Sequence, residues 1–72
     1  MTKEMVIAIA EKNNNGYWET KEGKVVVEIY YGDNEEIVNA LDDNAKIVGG
    51  GAGYAVYELE DGTKAEIDWM ED

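Results

Sequence analysis

Two short segments that end in glycine, Lys21-Glu22-Gly23 and Glu60-Asp61-Gly62, each divide a pair of strand-like runs. The first follows Tyr17–Thr20 and precedes Lys24–Tyr31, a run rich in β-branched and aromatic residues. Val25, Val27, Ile29 and Tyr31 fall on one face of that strand, with Val26, Glu28 and Tyr30 on the other. The second divides Gly53–Leu59 from Thr63–Met70. A two-residue Asp-Gly turn there would pair odd-numbered with even-numbered positions and set Leu59 against Lys64. A three-residue loop with glycine in the left-handed position instead pairs Leu59 with Thr63, Tyr57 with Ala65 and Ala55 with Ile67. It also sets Glu58 against Lys64, a favourable cross-strand pair. Three-residue loops are therefore expected in both hairpins.

Between the hairpins, Asp33–Asp43 reads as a helix. Asp33 or Asn34 can cap it, Glu35 and Glu36 suit its positive end, and Ile37, Val38 and Leu41 form the apolar stripe. Ile47 and Val48 follow as a short apolar segment, and Gly49-Gly50-Gly51-Ala52-Gly53 reads as a flexible or bulged connection. Glu4–Ala10 alternates with Met5, Ile7 and Ile9 on one face, which suits a strand. Thr2 as a cap and the Asn13-Asn14-Asn15-Gly16 stop suit a short helix equally well. The β-branched residues favour the strand. The expected fold is thus a small α+β domain over residues 1–72, an antiparallel sheet of two hairpins with one helix packed on it. The expected order is β-β-β-α-β-β, with the first element alternatively helical.

Seventeen acidic residues against six lysines leave a formal charge of −11. Such a charge destabilises a compact state by self-repulsion while attracting cations and basic surfaces. Low hydrophobicity with high charge would signal disorder, but 44% of these residues are hydrophobic and they fall in periodic runs, so a folded domain is expected. The chain has no Ser, Gln, Arg, His, Cys, Pro or Phe. Catalysis with Ser, Cys or His as nucleophile or base has no residues to run on, and a Cys/His zinc site is excluded. The longest apolar run, Met5–Ala10, is far short of the ~20 residues that span a bilayer, and it lacks the flanks of a signal peptide.

Motifs for cofactors fail on spacing. No GxxxxGK[ST] is present, and a GxGxxG that starts at Gly49 meets Tyr54 where its third glycine belongs. A calcium loop that starts at Asp42 meets Lys46 and Ile47 at positions five and six. Paired carboxylates could do acid–base work, but among seventeen acids some pair is always close. No enzyme activity, cofactor or metal is expected.

The acidic strand faces are more informative. In the three-residue register Glu58, Glu60, Glu66 and Asp68 point outward with Lys64 as the only cation, and Glu28 extends this patch if the hairpins adjoin. Alternate residues on a strand lie ~7 Å apart and neighbouring strands ~4.8 Å apart. Duplex DNA carries a charge every ~3.4 Å along each strand, a comparable density. Asp42 and Asp43 sit at the negative end of the expected helix, where the dipole disfavours anions by roughly 0.3–1 kcal/mol each. Folding does not ask for them there. Tyr30, Tyr54 and Trp18 fall outward beside this charge, as aromatics at interfaces do.

In size, charge and single-domain build the chain resembles the small acidic DNA-mimic inhibitors encoded by phages, the anti-CRISPR and anti-restriction proteins. The stretch Met5–Ala45, with its NNNGY before a strand and GDNEEIVNAL in the helix, resembles the β-β-β-α core of HicB-type antitoxins. A Pro-Gly-Cys-like segment and a C-terminal DNA-binding module are missing. The first resemblance implies an inhibitor that blocks the basic nucleic-acid-binding surface of a CRISPR effector or restriction component in the host cytoplasm. It implies no direct binding of nucleic acid or membrane. The second implies a module that binds its partner by shape and apolar contact. Free strand edges also allow a homodimer.

Overall fold

The computed structural model describes residues 1–30 and 35–70. The first element, α1 (Lys3–Lys12), is a helix, and its ends explain why. Thr2 has an extended backbone, and its hydroxyl accepts the Met5 N–H at 3.3 Å, relieving one of the unpaired donors of the first turn. At the other end Asn14 takes φ 57°, while Asn15 N–H donates to Ala10 O at 2.8 Å and Asn14 N–H to Glu11 O at 3.2 Å. This paired closure of the last carbonyls is a Schellman motif with asparagine in the left-handed place. Val6 and Ala10, one turn apart, are fully buried, while Met5 is 53% exposed. The strand expected over Glu4–Ala10 is therefore corrected to its helical alternative, because two good caps and an i, i+4 buried pair outweigh the β-branched isoleucines.

The chain continues through β1 (Gly16–Glu19), β2 (Val25–Tyr30), α2 (Glu36–Asn44), β3 (Lys46–Gly51), β4 (Tyr54–Glu58) and β5 (Lys64–Met70). The strands form one sheet in the order β1-β2-β5-β4-β3. The fold is α+β, a single small domain, but with two helices rather than one. The sheet is also not purely antiparallel. Its centre is a parallel pair, β2 with β5, that joins Val25 to Ala65, Val27 to Ile67 and Ile29 to Trp69.

Both three-residue turns are present. Gly23 (φ 87°) and Gly62 (φ 84°) take the left-handed position, and Thr20 N–H→Lys24 O and Leu59 N–H→Thr63 O, each 2.8 Å, close the hairpins. The β4–β5 register pairs Tyr57 with Ala65, Ala55 with Ile67 and Glu58 with Lys64, as parity required. The expected start of α2 and its caps Asp33 and Asn34, like Tyr31, lie outside the described residues. Its buried stripe is Ile37 and Leu41, with Val38 packed beside them, and Asn44 Nδ2 donates to the Ala40 carbonyl at 2.8 Å.

The glycine run is not a loop. Gly49, Gly50 and Gly51 are part of β3, which pairs with β4 across a bulge between Ile47 and Gly49 and turns at Ala52-Gly53. Gly50 has φ 154°, and a Cβ there would lie 3.0 Å from the Tyr54 carbonyl oxygen. A Cβ at Gly51 would lie 2.9 Å from the Tyr54 ring, so the ring lies across this glycine. Backbone approach, not flexibility, is what the glycines supply.

Both helices pack on one side of the sheet. Val6, Ala10, Ile37 and Leu41 meet Val25, Val27, Ile29, Tyr57, Ala65 and Ile67, all essentially buried. Among the described residues the other side carries no helix. Among the described residues no helix is long and apolar enough to cross a membrane.

Ile67, fully buried on the central strand pair, sets the scale of this core. Ile67→Ala is expected to lower unfolding free energy by about 2–5 kcal/mol in urea titration. Thr2→Ala is expected to cost about 1 kcal/mol, and no loss at all would contradict the helical start at residue 3.

Candidate functional site: the helix-free face of the sheet

Strand alternation and the registers set every side chain of this face. One row across the sheet runs Trp18–Val26–Glu66–Val56, and the next runs Glu28–Asp68–Tyr54, with Tyr30 beside Met70 beyond it. At the turn end, Lys64 sits between its partner Glu58 and the neighbouring row, and Glu58 is paired in turn with Lys46 of β3. Trp18, Tyr30 and Tyr54 are 53%, 43% and 42% exposed, whereas Val26 at the centre is buried. The result is an aromatic rim around a polar middle.

Six of the residues expected to bind a partner, Glu28, Glu58, Glu66, Asp68, Tyr30 and Tyr54, lie together on this face. The parallel pairing of β2 and β5 is what brings Glu28 beside Asp68. The other three lie elsewhere. Glu60 is in the β4–β5 turn, where its Oε2 lies 3.1 Å from the Met1 amino group. Asp42 is on the helix side and accepts the Tyr57 hydroxyl proton at 2.8 Å. Burial, then that hydrogen bond, pushes the Tyr57 phenol up to about 12. Asp42 thus has a fold-internal use that its place at a helix C-terminus did not reveal. Asp43 is exposed at the end of α2.

The face is less acidic than parity alone suggested. Lys24, just ahead of β2, meets Glu66 Oε1 at 2.8 Å, and Lys64 meets Glu58 at 3.1 Å. Four carboxylates there face three lysines, counting Lys46. The helix side is more lopsided. Glu4, Glu11, Glu19, Glu35, Glu36, Asp42 and Asp43 face Lys3 and Lys12. Lys3 pairs with Glu19 at 3.3 Å and Lys12 with Glu36 at 3.1 Å. The lysine interleaving was readable only for Lys64, because Lys24 meets Glu66 and Lys46 lies in register with Glu58, each on a strand distant in sequence.

At the centre of the helix-free face the carboxyls of Glu66 and Asp68 share a hydrogen bond. Burial, then the Glu66 hydrogen bond and charge, and then Glu28, push Asp68 up to about 6. Its hydrogen bond to Asp68, followed by that from Lys24, holds Glu66 below the ordinary range. Asp68 Oδ1 is inaccessible to solvent and has no hydrogen-bond partner among the described residues. Beside it lies an open cavity of about 510 Å³ lined by Ala52, Gly53, Tyr54, Glu66, Asp68, Trp69 and Met70. A larger hollow of about 680 Å³, at the turn end, is lined by Lys3, Lys24 and Lys64 with both glycine turns. Among the described residues no group of three or more acidic side chains is arranged to hold a metal ion.

No protein-family model matches the chain. No curated protein and no solved structure matches it either.

The Asp68 environment makes stability depend on pH in a definite direction. Asp68 ordinarily releases its proton near 3.8, but in the fold it keeps the proton up to about 6. The folded state is thus the more protonated between these values, and this group's contribution weakens as pH rises through them. Asp68→Asn is expected to raise stability at pH 7 by about 1 kcal/mol, discounted for solvent screening, with the gain vanishing below about pH 4. A destabilised variant at pH 7, measured by urea titration, would contradict the crowding of charge at this site.

Proposed function

We propose that this chain is a non-enzymatic binding module that occupies a basic, nucleic-acid-binding surface of another protein, its carboxylates standing in for phosphates. The observation that carries this reading is charge the fold does not use. Among the described residues the carboxylates of Glu4, Glu22, Glu28, Glu35 and Asp43 accept no hydrogen bond and form no ion pair. A chain of this size buries only about 60% of its unfolded surface and has little stability to spend on repulsion. Unpaired carboxylates lie on both layers, with Glu4 and Asp43 on the helices, Glu35 just ahead of α2 and Glu28 on the sheet. Asp42 adds to the helix side while serving Tyr57.

The likeness in size and charge to small phage-encoded inhibitors supports a CRISPR effector or restriction component as the class of partner, met in the host cytoplasm. A second reading has its own support. Trp18, Tyr30 and Tyr54 on the helix-free face, with Ile47 and Val48 at 58% and 44% exposure on the β3 edge, offer apolar contact of the kind an antitoxin-like or assembly module uses. That edge is also where a second copy would pair to form a homodimer.

Salt and DNA competition separate the two. The immobilised chain is expected to retain nucleic-acid-binding proteins from lysate at ~0.1 M salt and to release most of them at ~0.5 M, where the Debye length is about halved. Excess duplex DNA in the lysate should prevent retention. Glu4→Gln/Glu35→Gln/Asp43→Asn should weaken capture without loss of folding. Retention that is indifferent to salt and DNA would replace mimicry with the apolar reading.

A further inference from the structure

The cavity beside Tyr54 combines three features that a charged surface alone does not need. One wall is the exposed Tyr54 ring, held in place because it lies across Gly51, where any side chain would collide with it. A second wall is apolar, from the Met70 side chain, which strand alternation places on this face. The third carries Glu66 and Asp68, cross-strand neighbours of Val56 and Tyr54. Glu66 already has its cation, since Lys24 Nζ lies 2.8 Å from Oε1. Among the described residues Asp68 has no cation within ion-pair distance. Its carboxyl is part-exposed with no hydrogen-bond partner for Oδ1, and its neighbour on β2 is another carboxylate without an ion pair, Glu28.

We propose that this face docks a segment of a basic protein partner and that one arginine side chain of that segment enters the cavity, stacking on Tyr54 and pairing with Asp68. Charge complementarity selects the occupant. Glu28 and Asp68 leave two negative charges uncompensated at the centre of a face whose other charges are paired by lysine. A second copy of the chain would bring a further −11 rather than the missing cation. Arginine suits the site better than lysine because a planar guanidinium stacks on an aromatic ring while its fork addresses a carboxylate. The cavity, at about 510 Å³, is ample for such a side chain. The Asp68 proton, retained up to about 6 by burial and by Glu66 and Glu28, would be displaced by the incoming cation. Tyr54, Lys24, Glu28 and Glu66 are the groups that face Asp68 across the sheet.

The inference rests on the reading that the partner is basic, yet it is tested without that partner. ¹⁵N-labelled chain is titrated at pH 7 with N-acetyl-arginine amide and, separately, with the neutral isostere N-acetyl-citrulline amide. Saturable shifts confined to Tyr54, Glu66, Asp68 and Met70 are expected with the arginine probe alone, with a Kd on the order of millimolar for a single side chain. Asp68→Asn and Tyr54→Ala should each weaken this at least about tenfold, and bound probe should lower the Asp68 carboxyl titration seen by ¹³C NMR. Tyr54→Phe, which keeps the ring, should retain binding and so separates stacking from misfolding. Shifts of equal size with the citrulline probe, shifts spread over α1 and α2, or binding unchanged in Asp68→Asn would each overturn the cavity assignment. Salt- and DNA-sensitive capture of basic proteins could still succeed after that failure, so the two readings fail separately.

Discussion

The parallel pairing of Val25–Tyr30 with Lys64–Met70 is the interaction on which the rest of this molecule depends. It joins two hairpins far apart in sequence into one sheet and sets Val25, Val27 and Ile29 beside Ala65, Ile67 and Trp69 on a single apolar face. Each fully buried Val or Ile there contributes about 1.5–3 kcal/mol of transfer free energy. The two helices cover that face through Val6, Ala10, Ile37 and Leu41. The same register aligns Glu28 with Asp68 on the opposite face, so the core and the coupled carboxyls follow from one set of strand contacts.

With both helices on one side, the two layers come to differ in chemistry. The helix side concentrates carboxylates with few lysines, while the sheet side interleaves acids, lysines and exposed aromatics. The aromatic ring of Tyr54 and the apolar Met70 make the sheet side a place for shape and stacking, and the helices carry more of the long-range field. On the proposed reading, the helix layer would steer a basic partner and the sheet layer would contact it. Asp42 and Glu60 are tied into the fold by Tyr57 and the Met1 amine, so their charge is partly structural.

Much of this architecture was legible in particular residues. The parity of Leu59 with Thr63 around Gly62 fixed the C-terminal hairpin, and that register put Glu58, Glu66 and Asp68 on one face. The Ile37 and Leu41 spacing located the second helix. The first helix was legible only as an alternative. Alternating Met5, Ile7 and Ile9 imitate a strand, and the buried pair that decides the matter is Val6 with Ala10. The Gly49–Gly53 segment reads as a flexible or bulged connection on propensity; a bulge does lie between Ile47 and Gly49, but what makes Gly49–Gly51 a strand is the β4 ladder and the Tyr54 ring lying on it. Parallel pairing of β2 with β5 leaves no local mark at all, and neither do the ion pairs Lys24–Glu66 and Lys12–Glu36, whose members are distant in sequence.

This protein carries carboxylates that no described side chain pairs, a charge that opposes its folding and that the proposed basic partner would offset. The most direct measurement is the urea unfolding midpoint between ~0.02 and ~1 M sodium chloride, where the Debye length falls from over 20 Å to about 3 Å. Unpaired carboxylates crowded on a small chain predict a midpoint that climbs steadily as salt screens them. A midpoint that is flat, or that falls with salt because the five ion pairs among the described residues outweigh the repulsion, would show that the charge is balanced within the fold and would contradict a charge held against folding.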